Sequence, residues 1–343
     1  LPQCYSSSTA SPSKGHWRRC NNGTNESPID LDGLYLKRPM TRCLGEWVED
    51  HEESEGPMPY YSWEAEDCLL ETVDKEKFCS VMQGRKGLLF VGDSLSGLMV
   101  KTLALMMSAT AITPSDSGGK ALEGVQQDLT FSWEACDGAL KIVHKRNDYL
   151  DCRAEEEGSS PGECDVTYKG MAARCLVFAD DDTLEQFDTV VVNSGAHPRP
   201  RQEYRLAMET ASETIGAAMK RLHGDRAVLV VRNTVPGHWG CEKRWKFQGP
   251  VSADVAARLV AAGPKEYHWE DFHAYNEILE EAFLNESVHE WVLLDAYSPT
   301  ILRADSHPGE ARAALDCLHY CMPGPVDHWV RLLYNILVAD AAA

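Results

Sequence analysis

No apolar run in this 343-residue chain approaches the length that a bilayer core demands of a spanning helix. The chain also lacks any Cys-x-x-Cys pair, which leaves zinc-ribbon and thioredoxin readings without support. Basic residues are scarce: 33 Lys and Arg stand against 53 Asp and Glu, for a net charge of −20. Phosphate backbones are held by clustered Lys and Arg, so this balance argues against a nucleic-acid partner or a long polyanionic substrate. No internal repeat appears.

What is present begins with twelve cysteines, an even number. So many thiols suit an oxidising compartment and a disulfide framework, whose pairing cannot be read from spacing. Plain glycosylation sequons at Asn22 and Asn285 agree, and a third at Asn25 is compromised by Pro28. The expected setting is the secretory pathway, in the Golgi lumen, or the extracellular space. The chain opens on Leu1 with no signal-like block after it, which reads as an ectodomain without its targeting segment. Any membrane attachment would run through an anchor absent from this chain. Between Cys43 and Lys77 twelve acids face two lysines, a solvated acidic face.

Residues 1–80 are rich in Ser, Pro, Gly, Trp and acids, with five cysteines and little periodicity. They read as a disulfide-tied, loop-rich N-terminal region packed on a catalytic domain over 81–343. In that domain short apolar runs at 88–91, 140–143, 189–192, 227–231 and 291–294 read as strands. Helical stretches at 95–107, 204–222, 269–283 and 325–340 alternate with them, the last as a final helix on the sheet. Strands that are apolar throughout and alternate with helices predict an α/β fold, a mostly parallel sheet covered on both faces. Residues 108–138 and 151–175 read as insertions or surface loops.

Ligands of such sheets bind at the carboxyl ends of the strands. Ser94, in Gly92-Asp93-Ser94-Leu95, falls where the first run breaks into a helix. Its hydroxyl and its own amide would face the same space, offering a nucleophile and one oxyanion donor. The bland reading is that Asp93 or Ser94 merely caps the helix. Asn193 closes the third run and could supply a second oxyanion donor, or cap a turn before Gly195. Arg146 follows the second run and could supply another. Near the C-terminus, Asp316 and His319 are three residues apart. An imidazole oriented by a carboxylate is the base a serine hydroxyl needs. The rival reading is a Cys317-x-His319-x-Cys321 metal cluster completed by Cys241 or His238, a spacing unusual for zinc. Arg232, His238 and Arg303 follow later strands and are candidates for the substrate-binding surface, with a structural ion pair as the alternative for Arg303.

Together these segments resemble the SGNH (GDSL-type) hydrolase superfamily, and within it the PC-esterase branch that includes trichome-birefringence-like polysaccharide O-acetyltransferases. The matching motifs are Cys43-Leu44-Gly45-Glu46-Trp47, Phe90-Val91-Gly92-Asp93-Ser94-Leu95, Val192-Asn193-Ser194-Gly195, Arg232-Asn233-Thr234-Val235-Pro236-Gly237-His238, Arg303-Ala304-Asp305-Ser306-His307-Pro308 and Asp316-Cys317-Leu318-His319-Tyr320-Cys321-Met322-Pro323-Gly324. The resemblance implies a three-layer, flavodoxin-like SGNH fold and a Ser94–His319–Asp316 triad. It further implies an acetyl-serine intermediate whose acetyl passes from a donor such as acetyl-CoA to a hydroxyl of a glycan or polysaccharide. It implies no metal and no bound cofactor. Hydrolysis by a secreted carbohydrate acetylesterase, and glycan binding without turnover, are the alternatives. The chain departs from the plant pattern at Ser96-Gly97-Leu98 and at Ala196-His197, where plant relatives carry Arg-Asn-Gln and His-Trp. Those departures point to a branch outside the land plants and away from xylan.

Overall fold

The computed structural model describes residues 1–6, 12–20, 60–112, 130–150, 163–168, 171–176, 179–197, 199–242, 247, 249–285, 289–311 and 314–342. The motif at Cys43 and the sequons at Asn22 and Asn25 lie outside them, while Asn285 is exposed. The chain forms two compact units. One comprises Leu1–Asp74, Val235–Glu270 and Asp295–Ala343; the other comprises Lys75–Thr234 and Asp271–Leu294.

In the first unit, β1 (Gly15–Arg19) pairs antiparallel with β2 (Tyr61–Ala65), setting Trp17 opposite Trp63. Their rings meet edge-on at 5.4 Å, the arrangement that ring quadrupoles favour. The Cys4–Cys68 disulfide closes this N-terminal segment, as its composition led us to expect. The last helix, Pro325–Ala342, belongs to the same unit. Arg331 on that helix donates to the backbone carbonyls of Glu71, Trp63 and Leu70. Asn335 donates to Glu71 O and accepts its N–H. Burial lowers the pKa of Arg331, and this ring of carbonyls is what a buried guanidinium requires. No helix among the described residues is long and apolar enough to cross a membrane.

The second unit is built on a seven-stranded sheet. Helix α1 (Lys75–Val81) leads into β3 (Leu88–Gly92) and α2 (Ser94–Met106). Two short strands follow, β4 (Thr110–Ile112) and β5 (Thr130–Ala135), then β6 (Leu140–Arg146). A separate antiparallel hairpin, β7 (Glu163–Tyr168) with β8 (Met171–Leu176), comes next. The last elements are β9 (Thr189–Asn193), helix Arg201–His223, β10 (Val228–Arg232), helix Phe272–Phe283 and β11 (Trp291–Leu294).

The sheet order is β11-β10-β9-β3-β6-β5-β4. All five runs read as strands are strands, and they pair in parallel. The valines and leucines of β3, β9 and β10 are nearly all fully buried, each worth about 1.5–3 kcal/mol over exposure. Helix Arg201–His223 buries Tyr204, Met208, Ala211, Ile215 and Met219, one stripe at helical spacing. Tyr204 meets Tyr275 of helix Phe272–Phe283 edge-on at 4.8 Å. The α/β fold with a mostly parallel sheet is therefore as expected. Two segments differ: 108–138 supplies the antiparallel edge strands β4 and β5, and 151–175 supplies most of the β7–β8 hairpin.

Taken in chain order, the five parallel strands run 2-1-3-4-5, the flavodoxin-like arrangement. The order reverses between β3 and β9. Connections from those two strands leave toward opposite sides, which opens a crevice at their carboxyl ends. Ser94 and Asn193 stand at those two ends.

Candidate active site

Asp93, not Ser94, is the N-cap of α2. Its Oδ1 accepts the N–H of Leu95 at 2.9 Å and of Ser96 at 3.4 Å, and its carbonyl accepts Gly97 N–H. The cap is fully buried, and from Gly87 to Gly97 only Ser94 is partly exposed. A 13-residue helix therefore begins on Ser94, one residue after its cap. Gly92 is needed for close approach: a Cβ there would lie 2.8 Å from Asn193 O and 2.5 Å from Ser96 Oγ.

Asn193 and Arg232 end neighbouring parallel strands in register. Both are fully buried. Asn193 Nδ2 donates to Arg232 O at 3.3 Å and Ser194 O at 3.5 Å, while its Oδ1 accepts from Ser96 Oγ at 3.3 Å. Arg232 donates to Asn233 O at 3.1 Å and to Ser96 Oγ at 3.5 Å. Burial lowers the Arg232 pKa to about 10, with the Asp93 carboxylate opposing the shift. Ser96, which the sequence showed only as a departure from the plant pattern, thus ties three strand ends together.

On the other flank, Arg146 ends β6 and donates to Asp148 Oδ1 at 2.5 Å. His197 Nε2 lies 3.4 Å from Asp148 Oδ2 and 3.4 Å from the Arg146 guanidinium. Ser194 Oγ donates to Asp148 O at 3.1 Å, joining this cluster to the end of β9. Gly195 makes the turn with φ +123, where a Cβ would meet Thr234 Cγ2 at 2.8 Å. Four of the residues named from the sequence, Ser94, Asn193, Arg146 and Arg232, accordingly share one edge of one sheet. Asp148, His197 and Ser96 join them without any sequence pattern to announce it.

The remaining four lie in the first unit. Strands β12 (Gly309–Ala311) and β13 (Ala314–Asp316) form a hairpin that delivers Asp316. Asp316 Oδ2 lies 2.9 Å from His319 Nδ1, and its Oδ1 accepts the backbone N–H of Leu318 and of His319 at 3.2 and 3.0 Å. Burial would raise the Asp316 pKa, but the hydrogen bonds and charge of His319 outweigh it and hold the acid at about 2. The carboxylate is an anion that fixes the imidazole by Nδ1. Both side chains are about a third exposed.

The loop carrying them is fastened on several sides. Cys317 is bonded to Cys241, and Cys321 is also disulfide-bonded. These sulfurs are consequently not thiolates, which removes the metal-cluster reading of Cys317-x-His319-x-Cys321. Cys317 O accepts His238 N–H at 3.0 Å, and Ser306 O accepts Cys321 N–H at 2.7 Å. His238 and Arg303 are buried among protein groups. Arg303 makes a two-pronged pair with Asp305 at 2.8 and 3.0 Å, donates to Ser306 Oγ at 2.7 Å, and lies over Trp17 and Tyr61. Of the two readings for Arg303, the structural ion pair is the one observed.

The second unit thus carries a partly exposed serine at its strand-order reversal, and the first unit carries a histidine oriented by an acid. Residues 198–336 match the PC-Esterase family, a GDSL/SGNH-like acyl-esterase family found in Pmr5 and Cas1p. That stretch contains Arg232, His238, Arg303, Asp316 and His319 and begins after Asn193. The chain is also similar to "Protein trichome birefringence-like 18" of Arabidopsis thaliana, 23% identical over 328 residues. It is similar as well to xyloglucan O-acetyltransferase 1 of Arabidopsis thaliana (21% over 320 residues) and xyloglucan O-acetyltransferase 4 of Populus trichocarpa (24% over 314). These similarities cover 82, 81 and 81% of this chain, but only 58, 70 and 70% of the relatives' own lengths. The resemblance read from the motifs is thereby borne out.

Proposed function

We propose that this chain is an O-acetyltransferase that carries an acetyl group on Ser94 as an ester and passes it to a hydroxyl of a glycan or polysaccharide. The observation that carries the reading is position: Ser94 stands partly exposed at the strand-order reversal, on the first residue of a helix whose N-cap is Asp93. In the first step His319 Nε2 takes the Ser94 proton as Oγ attacks the acetyl carbonyl. Asp316 holds the ring by Nδ1 and stabilises the imidazolium. The Ser94 amide, Asn193 and Arg146 are assigned to the oxyanion, each such donor being worth about 10²–10³ in rate. The intermediate collapses, the donor's leaving group takes the proton from His319, and acetyl-Ser94 remains. In the second step His319 deprotonates the acceptor hydroxyl, which attacks the ester and frees Ser94.

The co-substrates are an acetyl donor, acetyl-CoA or another acetylated compound, and a glycan acceptor, as the names of the xyloglucan O-acetyltransferase relatives suggest. Arg232, His238 and Arg303 are assigned to supporting the site, because all three are buried and engaged within the protein. The disulfides support a secretory-pathway setting, with work in the Golgi lumen or outside the cell. The second reading is an acetylesterase, in which water attacks the same intermediate.

The test is incubation with an activated acetyl ester, followed by peptide mass measurement. Added acetyl mass on the Ser94 peptide, absent in Ser94→Ala, is expected; no adduct on the wild type would sink the proposal. A glycan panel with and without acetyl donor then separates transfer from hydrolysis.

A further inference from the structure

Two histidines that take no part in the proton transfers above are joined end to end. His238 and His307 are fully buried. His238 Nε2 lies 2.7 Å from Ile301 O, His238 Nδ1 lies 2.7 Å from His307 Nε2, and His307 Nδ1 lies 2.8 Å from His319 O. A carbonyl oxygen only accepts, so the two outer nitrogens must each carry a proton. Two neutral imidazoles have two ring protons between them, and both are now used. The inner nitrogens would then meet lone pair to lone pair at 2.7 Å, which is repulsive. One more proton between them turns that contact into a charge-assisted hydrogen bond.

We propose that His238 and His307 share one additional proton, and that this charged pair fixes the backbone of His319, making both of them positioning residues. The surroundings suit a single charge. Tyr320 packs its ring on His307 at 4.4 Å. Asp305 and Asp316 are the nearby acids that favour the charged form, with Arg303 neutralised by Asp305. Burial lowers both rings, and His238 and His319 each push His307 further down; the shared hydrogen bond must outweigh these effects for the pair to hold its proton. The loop is held at two further points, His238 N–H donating to Cys317 O and Tyr320 OH donating to Pro236 O at 2.6 Å. Loss of the shared proton at higher pH would part the rings and slacken the hold on His319.

The consequence for turnover rests on His319 being the base proposed above; the proton count does not. Ring-nitrogen magnetic resonance on wild-type protein carrying ¹⁵N histidine, at about pH 5.5, reads the count directly. Three protonated nitrogens among the four of this pair are expected, one of them exchanging across the pair. Only two would overturn the proposal. For positioning, His307→Gln is expected to keep the fold and KM while kcat falls by about a hundredfold, the usual cost of misplacing a reacting group by 1 Å. Wild-type kcat with an unchanged pH profile would overturn that part. If wild-type protein gives no Ser94 adduct, the acetyl-transfer reading fails while the nitrogen count still judges the pair.

Discussion

Asp316 holds His319 twice: Oδ2 lies 2.9 Å from ring Nδ1, and Oδ1 takes the same residue's backbone N–H at 3.0 Å. One carboxylate thus sets both where the imidazole stands and which of its nitrogens is occupied.

The two functions can be separated by Asp316→Asn. The amide oxygen still accepts backbone N–H groups, so the loop and the melting temperature should change little. The ring loses its anionic partner, and kcat should fall by about 10³–10⁴-fold, the cost of a wrong tautomer. Acetyl transfer and unfolding measured on the same preparation check this.

Acid should destabilise the protein in two windows. His144 is buried under the start of α2, and burial, with the charges of Arg146 and Lys101, lowers its pKa from 6.5 to about 3. The native state resists protonation that the unfolded chain accepts. Stability is therefore complete above about pH 6.5 and lost as pH falls toward 3, with a limiting slope of about 1.4 kcal/mol per pH unit. Asp316, held at about 2, adds a loss only below its unfolded value of 3.8. Denaturant unfolding of wild type and His144→Gln between about pH 7 and 4 should show a slope steeper in the wild type by up to about 1.4 kcal/mol per pH unit, since other buried histidines add their own slope to both proteins.

Gly92→Ala should damage both fold and site. The new methyl would lie 2.8 Å from a backbone oxygen of Asn193, on a strand with no room to move. A loss of about 1–3 kcal/mol is expected, the usual cost of overpacking, together with reduced Ser94 acetylation.

Cys317→Ser should lower stability by about 2–5 kcal/mol, since the Cys241–Cys317 bond closes a sequence separation of 76 residues. The double variant with Cys241→Ser should cost no more than either single change, because one bond is lost in each. Thermal unfolding of the three proteins checks this.

The strands that carry Ser94, Asn193 and Arg232 were legible because a strand buried on both faces is apolar at every position. The edge strands were not: Thr110–Ile112 is largely exposed, and β5 carries Ser132 and Glu134 among its aromatics, so neither stands out from a polar loop. Asp316 and His319 were legible as a local pair. Whether Asp93 or Ser94 capped the helix was undecidable from the tripeptide, since both residue types cap well; hydrogen-bond geometry decided it. The contact between His238 and His307 joins residues 69 apart in chain segments with no shared periodicity, and no local pattern announces it.

The positions of the disulfides also set an order of events during synthesis. Cys4 can find Cys68, and Cys79 can find Cys136, while the latter half of the chain is still being made. Cys241 must wait for Cys317, which emerges in the same stretch as Asp316 and His319. Of these three bonds the one beside His319 closes last, after the strand that leads to Ser94 has left the ribosome. A nascent chain therefore carries the Ser94 strand end before the loop of Asp316 and His319 can be fastened to Cys241.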